Sequence, residues 1–414
     1  MPSITYASPL IFALAIGAST AFAADASPTR FIVHFDGDRA ASMATMPSLA
    51  RAASASDDIR HIRSLAVGGE VFEVRDGDVS RLASLPGVVD IEEDRIVLPT
   101  AMRPTLWHRQ WYMHDPRVGI DAEIAWRYTR GAGAVVAVLD TGVMAHPQLD
   151  GQLLPGYDFV SDAAAARDGD GRDADPSDEG DWHDAGECGS RKAASSSWHG
   201  THVAGIIAAV SRDGRGTLGV AHEAKVMPVR VMGRCGGRMS DVADAILWAS
   251  GAELTGIPPA ARRADAINLS LGASGACGRT LAAAIAQARA RGSAVIAAAG
   301  NDGIRASSTS PSNCPGVVSV AALARDGSMA WYSNHGDGVT LAAPGGSLTK
   351  FGVDDILSTV DAGKRTRERP ILVYYAGTSM AAPQVAGLVA LMRSADPAID
   401  VDVISRQLVD NARP

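Results

Sequence analysis

The stretch Tyr374-Tyr375-Ala376-Gly377-Thr378-Ser379-Met380-Ala381-Ala382-Pro383 carries the strongest local signal in the chain. Two β-favouring tyrosines lead into a Gly-Thr-Ser turn, and an Ala-rich helix is predicted to open at about Met380. Pro383 is expected in the first turn of that helix, where its missing N–H costs little. A serine at such a junction lies close to the positive end of the helix dipole. That placement suits a nucleophile whose product is an oxyanion, although serine is also a common helix N-cap.

The composition of the 414-residue chain is that of a globular protein, with 46% hydrophobic and 20% charged residues. The length exceeds one ordinary domain and allows a large core with accessory parts. A formal net charge of -8 argues against binding to nucleic acid or to an anionic membrane surface.

An export signal is predicted at the N-terminus. Leu10 to Ala18 is a short apolar run, and Ala21-Phe22-Ala23 places small residues at the two positions that a signal peptidase inspects. The segment before the run has no Lys or Arg, which departs from the pattern, so a membrane anchor is the alternative. The run is too short to span about 30 Å of hydrocarbon as a helix. We therefore predict a signal peptide over residues 1–23 and a secreted, extracellular protein.

Four cysteines follow residue 180, at Cys188, Cys235, Cys277 and Cys314. An even number in an exported chain suggests two disulfides, and four cysteines allow three pairings. Their spacing contains no Cys-x-x-Cys, so a structural zinc site is not expected.

Residues 24–101 are predicted to form a separate small α+β unit. The predicted elements are strands over Phe31–Phe35, Glu70–Val74 and Val88–Ile91, an Ala/Ser/Met-rich helical stretch after the first strand, and a short helix over Asp78–Leu85. A β-α-β-β-α-β order suits a ferredoxin-like module. The segment Pro99 to Pro104 is a plausible boundary.

From Gly131 on, apolar runs alternate with helical stretches, which predicts an α/β fold. The predicted strands are Val135–Leu139, Lys225–Val231, Ala264–Leu271, Ser293–Ala299 and Val317–Ala322; the predicted helices are His202–Val210, Ser240–Ser250 and Thr280–Arg291. Continuous apolar runs are typical of strands buried on both faces. We expect a parallel sheet with helices on both faces, in which sites form at the carboxyl ends of the strands.

Polar residues with complementary chemistry occupy the ends of these elements. Asp140 follows the first apolar run, His199 opens an apolar helix, and Ser379 lies in the Gly-Thr-Ser turn. A hydroxyl needs an imidazole to take its proton, and the imidazole needs a carboxylate to fix its tautomer. Asn301 also follows a buried strand, so its amide could donate to a developing oxyanion beside the N–H of Ser379. A Gly-Asn pair after a strand is, taken alone, more often a turn.

Four windows in one order resemble the subtilisin-like serine proteases (subtilases) over about residues 105 to 410. They are Asp140-Thr141-Gly142-Val143, His199-Gly200-Thr201-His202-Val203-Ala204-Gly205, Ala298-Ala299-Gly300-Asn301 and Gly377-Thr378-Ser379-Met380-Ala381-Ala382-Pro383. The resemblance implies a subtilisin-like catalytic domain over residues 102–414. It also implies Asp140, His199 and Ser379 as the catalytic triad and Asn301 as the oxyanion donor.

The same resemblance implies further parts of the site. Ser270-Leu271-Gly272 resembles the strand that pairs with the substrate backbone, and Ala298-Ala299-Gly300 resembles the facing wall of the specificity pocket. Residues 24–101 resemble a propeptide that acts as chaperone and inhibitor, with the cut expected between Leu98 and Arg103. The cysteine positions resemble those of secreted bacterial relatives, which implies the pairs Cys188–Cys235 and Cys277–Cys314. The implied partners are polypeptide substrates and the chain's own propeptide, on a monomer.

The densest charge run extends from Asp168 to Asp181. It is either a solvated, self-repelling loop or a structural calcium site, because alternating Asp and Gly can wrap a hard cation with oxygens. We favour calcium, with Asp168, Asp170, Asp173 and Asp175 as the ligands.

Two other metal sites are less expected. A calcium-binding aspartate that the family commonly has after the triad aspartate is in doubt here, because Gln148 stands near that place. His199 and His202 lie three residues apart on a helix, but the glutamate that a zincin carries between its histidines is missing. We interpret His202 as a packed, hydrogen-bonded histidine.

The sequence predicts a secreted serine endopeptidase made as a self-processing precursor. Because His199 must be neutral to act as a base, activity should fall below roughly pH 6–7. One alternative is a non-catalytic peptide-binding protein on the same fold. A lipase or esterase is a nearer alternative, but its Gly-x-Ser-x-Gly elbow is not found around Ser379.

Overall fold

The computed structural model describes residues 29–36, 58–66, 68–75, 79–94, 105–348 and 352–413. The chain divides into two units, residues 1–100 and 101–414. Three predictions fall outside the described residues: the export signal, the Ala/Ser/Met-rich helical stretch, and the cut between Leu98 and Arg103.

The described part of the first unit is a four-stranded antiparallel sheet of order β2-β3-β1-β4. Its elements are β1 Thr29–Phe35, β2 Ile59–Ser64, β3 Glu70–Val74, helix α1 Ser80–Ala83 and β4 Val88–Glu93. Strand β2 was not assigned from the sequence, because charged residues and His61 interrupt its apolar pattern. The ferredoxin-like arrangement stays a prediction, since the first helix lies outside the described residues.

The second unit contains the remaining strands. They are β5 Val135–Asp140, β6 Tyr157–Asp158, β7 Lys225–Arg230, β8 Ala266–Leu269, β9 Ala273–Ser274, β10 Ala294–Ala298, β11 Thr309–Ser310, β12 Val318–Leu323, β13 Leu341–Pro344, β14 Ile356–Asp361 and β15 Pro370–Tyr375. Its α-helices are α2 Trp111–His114, α3 Ala122–Ala125, α4 Ala163–Ala166, α5 His199–Ala208, α6 Met239–Ala249, α7 Arg279–Ala290, α8 Thr378–Ala395 and α9 Val401–Asp410.

Seven of these strands form one parallel sheet of order β13-β12-β10-β8-β5-β7-β6. Strand β5 shows why the apolar runs are continuous, because all six of its residues are buried. Val136 and Val138 enter one hydrophobic core, while Val135, Ala137 and Leu139 enter the other. A side-chain period of two therefore requires apolar residues at every position when both faces are covered.

Helices cover both faces of this sheet. The buried residues of α5 and α8 belong to the first core, and those of α6 and α7 belong to the second. The prediction of a parallel α/β sheet with helices on both faces is confirmed. The observed elements differ from the predicted ones by one to three residues at most ends.

The carboxyl ends of three central strands bring the predicted site residues to one edge of the sheet. Strand β5 ends at Asp140, Ser270 follows β8, and Asn301 follows β10 by three residues. Parallel strands place all their carboxyl ends at the same edge, which is where such sheets form their sites.

Two disulfides join Cys188 to Cys235 and Cys277 to Cys314. This is the pairing that the family resemblance implied. Among the helices of the described residues, none is long and apolar enough to cross a membrane.

Candidate active site

Asp140 and His199 form a hydrogen-bonded pair. Nδ1 of His199 lies 2.8 Å from Oδ1 of Asp140, and the same oxygen accepts the backbone N–H of Thr141 at 2.8 Å. Asp140 is fully buried, whereas 21% of the His199 side chain is exposed. The carboxylate therefore holds Nδ1 as the protonated ring nitrogen, which leaves Nε2 as the base.

The start of helix α5 sets the position of His199. Trp198 precedes it with a left-handed backbone, φ 49°, although its indole is buried and donates to the carbonyl of Gly363 at 2.7 Å. Such a conformation costs on the order of 1–3 kcal/mol and persists where the surroundings hold it. A Cβ at Gly200 would lie 2.1 Å from the carbonyl oxygen of Gly142, so only glycine allows the helix to approach the Asp140 loop.

Burial and charge act in opposite directions on His199. Burial alone would lower its pKa, but the carboxylate of Asp140, and more weakly those of Asp181 and Asp178, raise the pKa above 6.5. His202 differs because burial lowers its pKa to about 3. Its Nε2 lies 3.1 Å from the carbonyl of Val373, and its ring stacks on Tyr375. His202 is thus a packed, neutral histidine, as interpreted from the sequence.

Two further aspartates support this pair. Thr141 donates its hydroxyl to Asp178 at 2.6 Å and accepts the N–H of Gly200 at 3.0 Å. Burial raises the pKa of Asp178 to about 7. Asp181 accepts both the N–H and the hydroxyl of Ser197. Sequence reasoning missed both roles, because it assigned this acidic run to solvent or calcium.

Helix α8 starts at Thr378, and Ser379 lies in its first turn. The hydroxyl of Ser379 donates to the carbonyl of Ser270 at 3.1 Å. Within the described residues no hydrogen bond joins Ser379 to His199. Such bonds are often long without substrate and form in the Michaelis complex.

The sequence placed Pro383 in the first turn of α8, and this was wrong, because the helix begins earlier than expected. Pro383 is the sixth helical residue, so the carbonyl four residues earlier, that of Ser379, loses its helical donor. The hydroxyl of Ser270 donates to that carbonyl at 2.9 Å instead. The proline thus leaves a backbone acceptor through which Ser270 holds the serine turn.

The side chain of Asn301 is oriented by Thr378. Its Oδ1 accepts the backbone N–H and the hydroxyl of Thr378, each at 2.9 Å. Because a backbone N–H can only donate, the oxygen must face Thr378. No described residue accepts from Nδ2, so both amide hydrogens of Asn301 remain available beside the serine turn.

A cavity of about 600 Å³ adjoins Ser379 and Asn301. The predicted substrate-binding residues that line it are Ser270, Leu271, Gly272, Ala298 and Gly300. Ala299 does not line this cavity, because its side chain packs in a small hydrophobic cluster with Ala306 and Ala321. Ser270 also borders a second cavity of about 500 Å³, which is lined by His199 and Asp181. Of the two disulfides, Cys188–Cys235 borders both cavities, since Cys235 lines the first and both cysteines line the second, whereas Cys277 and Cys314 line neither.

Three of the four predicted calcium ligands come together. Carboxylate oxygens of Asp168, Asp170 and Asp173 all lie within 4.8 Å of one another. Asp175 lies outside this group, and its Oδ1 accepts the N–H of Ser177. Its inclusion was based on alternation in the sequence, but the Asp-Pro-Ser turn directs its carboxylate to its own backbone.

Arg230 already places one positive charge beside the three carboxylates of the candidate calcium site. Its buried guanidinium donates to Asp168 at 2.7 Å and to Asp158 at 2.6 Å. Hydrogen bonding and repulsion from Asp173 raise the pKa of Asp170, which is the effect of crowded carboxylates. Hard oxygen donors suit calcium, and a cation would relieve this repulsion.

Gln148, in contrast, is satisfied by protein. Its Oε1 accepts the N–H and the hydroxyl of Thr217, the latter at 2.8 Å. The carbonyl of Gln148 accepts the N–H of Val210. The side chain and the backbone of Gln148 therefore tie two other segments of the chain together, and the doubt about a second calcium site stays a prediction.

Comparisons with known proteins agree with this geometry. The model of the subtilase family (Peptidase S8) matches residues 131–414. An extracellular protease of Xanthomonas campestris pv. campestris is 45% identical over 349 residues, which is 82% of this chain and 59% of that protein. An extracellular basic protease of Dichelobacter nodosus is 40% identical over 367 residues, covering 85% and 60% of the two chains.

A solved structure of a protease from Pseudoalteromonas arctica is 46% identical, with a TM-score of 0.75. That match covers 76% of this chain and 93% of the other. The present chain spans about three fifths of the length of the two extracellular relatives. On the match over residues 131–414, which is more than half of its length, the chain belongs to the subtilase family.

Proposed function

We propose that this chain is a secreted serine endopeptidase that hydrolyses peptide bonds with a triad of Asp140, His199 and Ser379. The observation that carries the proposal is the 2.8 Å bond between Asp140 and His199, at the sheet edge where Ser379 and Asn301 line a cavity. The bond leaves Nε2 of the imidazole as the free base.

In the proposed reaction, Oγ of Ser379 attacks the scissile carbonyl carbon while Nε2 of His199 takes the hydroxyl proton. His199 then gives this proton to the leaving amine as the C–N bond breaks, which leaves an acyl-enzyme. A water molecule then attacks the acyl carbon while Nε2 of His199 takes one of its protons. His199 returns this proton to Oγ of Ser379 as the ester bond breaks, which releases the carboxylic acid. Asp140 stabilises the imidazolium that forms in both steps.

The negative oxygen of each tetrahedral intermediate would be held by Nδ2 of Asn301 and the backbone N–H of Ser379. This is supported by the bonds from Thr378, which turn the amide oxygen away and leave the amide hydrogens available. The hydroxyl of Ser379 has to leave the carbonyl of Ser270 before it can donate to His199.

Substrate backbone would pair with the segment after strand β8. Within the described residues, no backbone hydrogen bond involves Leu271 or Gly272, and both line the cavity. Backbone groups without a partner can pair with an extended peptide as with an additional strand. Polypeptide substrates are therefore the proposed partners.

A fluorophosphonate label tests the proposal against a non-catalytic peptide-binding protein. An activated serine takes the label, and we expect one equivalent on Ser379 and none on the Ser379→Ala variant. From subtilisin itself we take over a loss of kcat of about 10⁶-fold for removing this serine. Labelling that is absent, or that persists without Ser379, would refute the triad.

The N-terminal unit, residues 24–101, is proposed to be an inhibitory propeptide that the enzyme removes itself, after an export signal over residues 1–23 has been cleaved. The names of the extracellular relatives support secretion. Expressed with Ser379→Ala, the chain should remain an unprocessed precursor, which N-terminal sequencing by mass spectrometry would detect. Normal maturation of that variant in a pure preparation would exclude self-cleavage.

We also propose that Asp168, Asp170 and Asp173 hold a structural calcium ion. Titration calorimetry should show binding that Asp170→Asn weakens, and a chelator should lower the unfolding temperature, because a ligand of the native state stabilises it by mass action. Asp326→Asn is the matched control, since Asp326 is an exposed aspartate whose carboxylate accepts from Ser328 within its own turn. Equal binding by wild type and Asp170→Asn would contradict the site.

A further inference from the structure

Asn334 is fully buried and uses every hydrogen-bonding position of its side chain. Nδ2 donates to the carbonyl of Ala299 and to Oγ1 of Thr309, each at 2.9 Å. Oδ1 accepts the backbone N–H groups of Asp302 at 3.0 Å and Ile304 at 3.1 Å. An amide offers two donor hydrogens and an acceptor with two lone pairs, so no capacity remains.

These bonds hold Asn301 from both sides. The backbone N–H of Asn334 donates to the carbonyl of Gly300 at 2.9 Å, and its side chain accepts from Asp302. The residues immediately before and after Asn301 are therefore bound to one residue. Since Asn301 itself is exposed, its backbone position depends on these neighbours rather than on burial.

The same side chain borders the cavity wall. A Cβ at Gly300, whose φ is +106°, would lie 2.3 Å from Nδ2 of Asn334. The methyl carbon of Thr309 would lie 3.2 Å from that Cβ and 3.3 Å from one at Gly272. Thr309 thus stands between the two glycines that flank the cavity, and its hydroxyl is bound by Asn334.

We propose that Asn334 is a positioning residue that aligns the oxyanion donor Asn301 and fixes Thr309 in the wall of the cavity. One buried amide then controls two properties: the rate of the chemical step, and the selection of the substrate side chain that precedes the scissile bond. This inference rests on the proposed function. A positioning role differs from a purely structural one. A purely structural residue would change the amount of folded enzyme, but not the rate or the substrate selection of each folded molecule.

The test compares Asn334→Asp with wild type and with Asn411→Asp. Aspartate has the same shape and keeps an acceptor for Asp302 and Ile304, but it offers no N–H to Ala299 or Thr309. Asn411 is an exposed asparagine after helix α9 whose amide donates to the carbonyl of Gln407, so it controls for the chemical change alone.

Two quantities are measured per active site, counted with a fluorophosphonate. The first is kcat, with and without Asn301→Ala in the same chain. The second is the ratio of kcat/KM between peptide p-nitroanilides that end in Phe and in Ala. We expect Asn334→Asp to lower kcat about tenfold, which is less than the loss from deleting an oxyanion donor. In a chain that already carries Asn301→Ala, adding Asn334→Asp should lower kcat almost no further, because residues that act through one another are not additive.

The Phe/Ala ratio should change by about fivefold or more, in line with the sensitivity of pockets to small changes in shape. Asn411→Asp should leave both quantities unchanged. An equal loss of kcat in both backgrounds, or a constant Phe/Ala ratio, overturns the proposal.

Thr309→Val decides the matter if Asn334→Asp does not fold. Valine keeps the shape of threonine but removes the acceptor for Nδ2 of Asn334. The Phe/Ala ratio should again shift at an unchanged fraction of titrated sites, and a constant ratio overturns the proposal. Failure of the proposed function would be seen separately, because wild type would then neither take the fluorophosphonate nor cleave any peptide of the series.

Discussion

The two halves of the candidate active site are held by different chemistry. On the acid side, which comprises Asp140, Asp178, Asp181 and His199, buried or half-buried carboxylates surround an imidazole. Together they raise the pKa of His199 although burial opposes this. Negative charge is thus concentrated around the imidazole that accepts a proton in the proposed reaction.

The amide side comprises Asn301, Asn334, Thr309 and Thr378, and none of these side chains is charged. Amide and hydroxyl groups are joined there by hydrogen bonds of 2.9 Å. A carboxylate here would repel the oxyanion, whereas neutral groups fix the direction of N–H donors without adding charge.

The two sides of the site are therefore stabilised by different interactions. Carboxylates on the acid side act mainly through their charge, which raises the pKa of His199. Neutral side chains on the amide side act through hydrogen bonds, which fix the direction of the N–H donors. Substitutions on the acid side should therefore alter the pH dependence, while those on the amide side should lower the rate at every pH.

Among the substitutions that compare the two sides, Asp140→Asn should have the largest effect. The amide cannot stabilise an imidazolium and favours the wrong tautomer of His199, so kcat should fall by about 10⁴-fold, an order taken over from the Asp-to-Asn change in a chymotrypsin-type protease and from removal of the triad aspartate in subtilisin. Steady-state kinetics over pH 5–10 would measure it. Asp184→Asn serves as control, because Asp184 is exposed and pairs with Arg365 on the surface. A loss below about tenfold would remove Asp140 from the triad.

Asn301→Ala probes the amide side. The expected loss of kcat is about 10²–10³-fold, a magnitude taken over from the corresponding donor of subtilisin. KM and the midpoint of the acid limb should change little, since no charge is removed. If the acid limb moved with the rate, the division between the two sides would be wrong.

Asp181→Asn should have the smallest effect on rate and the clearest effect on pH. The charge of Asp181 raises the pKa of His199, so removing it lowers that pKa. The imidazole is then neutral at a lower pH, and the acid limb of kcat/KM should move toward lower pH with the plateau almost unchanged. A limb that stays in place, or moves upward, contradicts the electrostatic role of Asp181. Asp184→Asn again provides the comparison.

Much of the framework was predictable because its signals are local. A continuous apolar run indicated β5 and hence placed Asp140 at a strand end, and the Gly-Thr-Ser turn before an Ala-rich run placed Ser379 at a helix start. Strand β2 was missed, since charged residues interrupt its apolar pattern. The elements that were predicted are mostly shifted by a few residues, and one such shift places Pro383 in the second turn, where it changes the partner of the Ser379 carbonyl.

The residues at the ends of the buried strands and helices can be identified from the sequence alone, since periods of 2 and 3.6 residues are visible within a few neighbours. Which distant groups meet becomes clear only in the folded chain: Asp178 and Asp181 act on His199, Asn334 lies beside Gly300, and Asp175 lies apart from the other acidic residues. The physical reason is that hydrogen bonds and charge interactions act over a few ångströms in space, and the paths of the loops that close those distances are not encoded in any local period.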